Sequence, residues 1–464
     1  MSAMTPSPPL SSPSGAGSLW RHADFLRLWS AQAISAFGSR ITRTALPIIA
    51  VVTLGQSEAM IGVLAAMQLV PGMILAIAAG GLVDRGHKRR ILITADLIRG
   101  ALVASLTLAW ALDALSMVQV IAVGALVGAA SALFQITDVA YLPQLIGRRQ
   151  LAEGNAKLET TEAVAEITGP ASAGVLIAAL GAPLAVAIDA ASFVWSAFML
   201  DRIRGDDRGR STGEPAPAPP PPSSIAAVTA PSPSSSLSLA AADDLGPEAP
   251  AVRTGRDFWI GARAVFGHPQ VRPVILTVMM WSVTGGFFIA LYTPFCLRAL
   301  ALPESVFGVI IAMGGVGSLA GAMLSRGLAR ALGVGRTLIV TSAVSIVFTL
   351  CIPIAASVGS RTLTIGFLAA HQLIGDGMSV AFVILAVTLR QTALPRDVLG
   401  RANAAIHVST TGMLVVSAVL AGGLASLVGI HAAMWAGTLA GLIAPALLWP
   451  LRRLRDMPSA DLVS

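Results

Sequence analysis

Tyrosine is almost missing from these 464 residues, with 2 in the whole chain, and charged residues make up only 12%. That is about half the charge of an ordinary soluble domain. Lysine occurs only as Lys88 and Lys157, cysteine only as Cys296 and Cys351, and the 6 histidines are scattered singly. Each shortage excludes a class. A membrane β-barrel carries polar alternation and aromatic girdles. Two cysteines inside apolar runs give neither a disulfide framework nor a thiolate metal site, and lone histidines give no ligand cluster. A phosphate-binding loop needs lysine after glycine; Lys88 follows His87 and Lys157 follows Ala156, so no ATPase is fused here. No nucleophile motif points to an enzyme. No secretory signal is evident in the polar, Pro/Ser-rich start.

What the chain has in excess is apolar surface: 55% hydrophobic residues and a mean hydropathy of +0.76. A soluble chain of this length would divide into roughly three domains, whose cores could not hide that much. The expected class is an all-α integral membrane protein. The net charge of +7 does not indicate a nucleic-acid partner, because the basic residues cluster in short loops between apolar runs, the footprint of membrane orientation.

Twelve such runs are expected to cross the bilayer: 25–53, 58–83, 91–112, 117–141, 155–180 and 183–200, then 271–297, 304–329, 337–358, 362–391, 400–427 and 430–451. Each can span a hydrocarbon core of ~30 Å at ~1.5 Å per residue. Residues 1–20 read as a disordered tail and 456–464 as a tail. Residues 201–256, with APAPPPPSS and PSPSSS, cannot pack a core and read as a disordered linker. This leaves two six-helix bundles, 21–200 and 257–455. The second opens with an amphipathic segment, 257–270, suited to the membrane surface.

Most of the 31 basic residues sit in one set of loops; the opposite set holds only Arg298 and Arg361. The positive-inside rule then puts both termini and the linker in the cytoplasm of a multi-pass protein of the cell inner membrane. The halves also echo each other. YLPQLIGRRQLAEGNA after the fourth run matches ALPRDVLGRANA after the tenth, and GGLVDRGHKRRILI matches GAMLSRGLARALGVGRTLIV. Internal repeats of this kind mark secondary transporters, in which two similar bundles rock about a central site.

The stretch Gly80 to Arg90 resembles the signature G-x-L-x-D-R-x-x-R-R of the major facilitator superfamily. FLRLWSAQAISAFGSRITRTALP, ADLIRG, ITGPASAGVL and DAASFVWSAFML are similar to its branch of bacterial drug-efflux and siderophore-export proteins. The resemblance runs from about residue 21 to 455 and implies two pseudo-symmetric six-helix bundles. The chain departs from the pattern at Ser325, near the place of the acid in the second loop copy, and at Ser39, where many branch members carry Asp. Any role of those acids in relatives does not transfer.

The resemblance assigns gating to the cytoplasmic loop, through Asp84, Arg85 and Arg89, with Asp84 facing the start of the eleventh helix. A carboxylate there is stabilised by the exposed N–H groups of the helix end. For Arg89 a role in topology alone is equally open. Asp96 and Arg99, three apart, read as a structural ion pair. Ionisable side chains at membrane depth are expensive and need a reason. Asp376, Glu162 and Glu166 are candidates to carry a proton. Arg40 and Arg43 are candidates to bind an anionic substrate group, or to pair with Glu162 or Glu166 and fix packing. Asp138 and Arg390 occupy equivalent places before Pro143 and Pro395, an opposite-charge pair suited to latch the bundles. Trp281, Phe288 and Tyr292, on a helix that lines the cavity in the superfamily, are candidates to stack on substrate.

The resulting expectation is a proton-coupled exporter of a small organic compound such as a drug, siderophore or secondary metabolite. It would act as a monomeric antiporter and need no cofactor beyond the proton motive force. Uptake by the same fold is the nearest alternative, and a non-transporting receptor or scaffold the alternative of another class.

Overall fold

The computed structural model describes residues 19–78, 86–147, 150–204 and 255–455. Strands are absent among them. The first bundle consists of α1 (Ala23–Ile48), α2 (Glu58–Ala78), α3 (Lys88–Ala111), α4 (Met117–Ile146), α5 (Leu151–Leu180) and α6 (Ala182–Asp201). The second begins with a surface helix, Gly255–Gly267, and continues with α7 (Val271–Pro294), α8 (Glu304–Leu332), α9 (Val334–Thr349), α10 (Arg361–Ala393), α11 (Arg396–Val428) and α12 (Ile430–Gly441).

Local chemistry sets several ends. The His22 ring accepts from Phe25 N at 3.1 Å to start α1, and Ser116 Oγ accepts from Gln119 N at 3.3 Å to start α4. Both satisfy N–H groups that a helix start leaves open. Gly181 joins α5 to α6 at φ +80° and Gly429 joins α11 to α12 at φ +87°. A side chain is strained at such φ values, so the repeat places glycine at the same turn in both halves.

Among the described residues, ten helices are long and apolar enough to cross a membrane. The two outside that set, α1 and α5, run for 26 and 30 residues. They carry Arg40, Arg43, Glu162 and Glu166, and their charges answer one another across the α1–α5 contact. Several expected boundaries move. α4 runs on through Pro143 to Ile146 instead of ending at 141, because a membrane helix tolerates the missing N–H. The tenth run is broken by a π turn, His371–Gly375, between Arg361–Ala370 and Asp376–Ala393. The twelfth ends at Gly441 and is followed by short turns, Ala444–Leu447 and Trp449–Arg453.

Within the first bundle α6 packs on α1 and α3, and α2 on α4. Within the second α11 packs on α7, and α8 on α10. The bundles meet through α2 with α11 and α5 with α8. Lipid offers no hydrophobic drive between helices, so close approach at small residues does the work. A β-carbon on Gly62 would sit 2.6 Å from Ala418 O and 3.2 Å from Gly422 Cα, and one on Gly174 would sit 2.6 Å from Gly308 Cα. Both approaches lie at the end where α2 and α8 begin. The apolar cluster around them draws on both bundles, with Ile61, Leu64, Ala173, Ile177, Ala290, Leu291, Ala418 and Ala421. Leu19 is fully buried, and Trp20 meets Trp29 edge-on at 5.1 Å between centroids, so residues 19 and 20, expected in the disordered tail, pack against the first bundle.

Candidate functional site

Two helix ends build the closure. α1 finishes in a π turn, Ile49–Thr53, and α7 in another, Phe295–Ala299. The wider turn leaves carbonyls at the end of α1 pointing outward, where the helix dipole is negative. Arg298, from the second bundle, donates Nη2 to Val51 O and Nη1 to Gln56 O, each at 2.6 Å, and its Nη1 lies 3.6 Å from Glu58 Oε1. A planar guanidinium presents its donors in a rigid fork that holds two carbonyls at once, whereas an ammonium is a point charge with rotatable donors on a flexible stem. One of the two basic residues on the sparsely charged side is therefore a clasp between the bundles.

Behind this closure lies a cavity of about 460 Å³ between the bundles. From α1 come Ser39, Arg40, Thr42 and Arg43; from α2 and α4, Gln68 and Gln135; from α5 and α6, Glu166 and Asp189. The opposite wall holds Trp281, Phe288 and Tyr292 of α7, His371, Gln372 and Asp376 of α10, and His407 of α11. One wall is charged and the other mainly aromatic.

Arg40 is buried and bound to both candidate acids of α5: Nη2 lies 2.6 Å from Glu166 Oε2, and it also donates to Glu162. Glu166 is nearly covered, at 10% exposure, while Glu162 is 53% exposed. The packing alternative for Arg40 is thus the geometry observed. Arg43 lines the cavity within the field of the same two acids.

Asp376 is buried at the end of the π turn of α10. His371 Nε2 stands 3.8 Å from its Oδ1, while its Oδ2 finds no partner among the described residues. Gly314 of α8 leaves the space that Oδ2 and Gln372 occupy: a β-carbon there would sit 2.8 Å from Asp376 Oδ2. Single-turn π segments within α-helices are frequent at functional sites. The aromatic wall is ordered by its own contacts. Trp281 packs on Phe382 at 4.6 Å, Phe288 stacks on His371 at 6.0 Å with an 18° interplanar angle, and Tyr292 meets Phe307 at 5.8 Å.

The remaining candidates lie away from this lining. Asp84 and Arg85 fall outside the described residues. Arg89 donates Nε to Leu200 O at 2.9 Å and meets Asp201 Oδ1 at 3.2 Å, so it ties α3 to the end of α6 inside one bundle. Asp138 accepts from Gln32 Nε2 at 2.6 Å, and Arg390 is buried in α10. Asp96 and Arg99 form the ion pair their spacing implies. Sequence reasoning passed over Asp189, His371, Gln372 and His407. The signal was present for Asp189, a carboxylate inside an apolar run. For His371 and Gln372 it was not, since their facing depends on the π turn.

A family model described as the Major Facilitator Superfamily matches residues 28–414. Among solved structures, the fold is similar to that of a bacterial homologue of the iron transporter ferroportin in an inward-facing state, at 16% identity over 94% of this chain and 100% of that one, with a TM-score of 0.68. A bacterial homologue of the human lysosomal transporter Spinster, inward-facing and unoccupied, gives 13% identity, 93% and 98% coverage and a TM-score of 0.65. A ferroportin homologue in an outward-facing state gives 17%, 92%, 99% and 0.52. At these identities the likeness speaks of fold alone. No curated protein matches the chain.

Proposed function

The chain belongs to the Major Facilitator Superfamily, a family of transporters and not of enzymes, and on that footing we propose that it is a proton-coupled exporter of a small organic compound, working by alternating access around the 460 Å³ cavity. The observation that carries the coupling is Asp376. It is a buried carboxylate that faces the cavity with one oxygen unpartnered among the described residues, beside a break in its helix. An uncompensated charge in such a place is costly, and binding a proton removes the cost. Asp376 is the proton carrier in this reading. Glu162 and Glu166, held by Arg40, are structural partners first.

Trp281, Phe288 and Tyr292 supply flat apolar surface for an aromatic or amphipathic substrate, and Arg43 supplies a cation on the facing wall. The positive-inside distribution supports an orientation with the Arg298 clasp on the outer side, and in this reading the conformation is closed outward. In this orientation twelve helices cross the inner membrane and both termini are cytoplasmic.

The test is proton-dependent efflux from inverted vesicles over a panel of amphipathic compounds. Asp376→Asn is expected to abolish coupled transport with normal expression. Undiminished coupled transport by that variant would remove Asp376 from the mechanism.

A further inference from the structure

A second group of charges lies in the first bundle, apart from Asp376. Asp96 and Arg99 of α3 are paired and buried, and Asp189 of α6 is fully buried nearby. Arg99 attracts both carboxylates. Its guanidinium carbon lies over the rings of Phe134 at 4.4 Å and Phe193 at 4.5 Å, apolar surface that shields it from water. Ser192 Oγ donates to Asp189 Oδ1 at 2.9 Å, and Thr42 and Ser196 lie beside Asp189 and Asp96. Asp189 Oδ2 and Asp96 Oδ2 have no partner among the described residues.

Charge counting settles what this cluster holds. The helices packed against α6 are α1, α3 and α5. On them, Arg40 is bound by Glu162 and Glu166, and Arg43 lies in the field of that pair. Asp24, Arg27, Arg89, Glu153 and Lys157 pair at the basic-loop end. Asp96 and Arg99 are the charged groups that bear on Asp189. Two carboxylates and one guanidinium in a dry site leave one net negative charge, which costs several kcal/mol in an interior of low dielectric. One bound proton makes the cluster neutral.

We propose that Asp189, with Asp96 and Arg99, is a proton-binding site of the first bundle, loaded from the central cavity. Asp189, Thr42 and Phe193 line that cavity, whereas Asp96 is sealed behind them. The step is a single proton passing from cavity water to Asp189 Oδ2 and back, with no electron moved. The use of this proton to drive substrate rests on the transport reading; its binding does not.

The test needs no substrate. Infrared difference spectra of the purified full chain between acid and alkaline pH read the C=O stretch of protonated carboxyls, which ionised carboxylates lack. Asp189→Asn is expected to remove one component of that band, while Asp376→Asn leaves that component in place. Arg99→Gln, which removes the cation shared by two acids, should let both bind a proton and so about double the cluster's share of the band. A folded Asp189→Asn chain with an unchanged band overturns the site. Should that variant not fold, carbodiimide labelling of the unaltered chain, selective for protonated carboxyls in apolar surroundings, replaces it. Label on Asp189 that fades as pH rises supports the site, and none at acid pH overturns it. If coupled efflux fails while the Asp189 component persists, the transport reading falls and this site stands.

Discussion

Arg298 offers a way to tilt the balance between the two faces of the transporter with one residue. Its two hydrogen bonds to backbone carbonyls are each 2.6 Å and cross from one bundle to the other. A hydrogen bond involving a charged group contributes ~1.5–3 kcal/mol. The side chain is 33% exposed, so water competes and the lower end applies. The 3.6 Å pair with Glu58 adds no more than ~1 kcal/mol. Fixing a long, partly exposed side chain in one geometry offsets part of this sum, which leaves a net of ~2 kcal/mol for the clasp. At ~1.4 kcal/mol per factor of ten, Arg298→Ala should shift the population toward the outward-open state by on the order of 30-fold. Arg298→Lys, with one point charge for two carbonyls, should fall between. Spin labels at Asp113 and Ser357, on that end of the first and second bundles, would report the distance distribution by pulsed electron resonance, in a chain with Cys296 and Cys351 replaced. A growing long-distance population is the expected result. Distributions that coincide for Arg298→Ala and the parent would refute the clasp.

Three further outcomes are expected. Reversing the charge at Asp138 or at Arg390 should each reduce transport, and reversing both should restore it if the pair latches the bundles; failure of rescue in the efflux assay would dismiss the latch. Arg40→Gln leaves Glu162 and Glu166 facing each other without their cation. Breaking a buried pair costs ~3–5 kcal/mol, and the exposure of Glu162 brings this to roughly 2–3 kcal/mol, to be read as a lowered Tm in detergent. Trp281→Ala strips the cavity wall and the Phe382 contact, and should weaken binding of aromatic substrates about tenfold, since a lost aromatic contact is worth ~1.5 kcal/mol; unchanged substrate KM would place Trp281 outside the binding surface.

The architecture was legible because bilayer thickness imposes one length on every crossing helix and lipid admits little charge, so apolar runs and basic loops carry most of the information. The repeat was legible for the same reason, in Pro143 and Pro395 and in the shared loop patterns. Arg40, Arg43, Glu166 and Asp376 stood out as charges at membrane depth, and the structure gathers all four at one cavity. What stayed hidden depends on backbone geometry. The π turn at His371–Gly375 adds a residue to the turn and redirects His371 and Gln372, and no residue pattern announces it. Arg298 was legible only as one of two basic residues on the sparsely charged side, because its partners are carbonyls, which every residue has.

The central claim is that substrate and proton move in exchange through one cavity containing Asp376. The most direct measurement reconstitutes the purified chain in liposomes loaded with a pH-sensitive dye and adds the compound panel on the cytoplasmic face without ATP. The account predicts proton movement opposite to the transported compound, lost in Asp376→Asn. Uptake of a compound into these liposomes with no accompanying change in internal pH would contradict it.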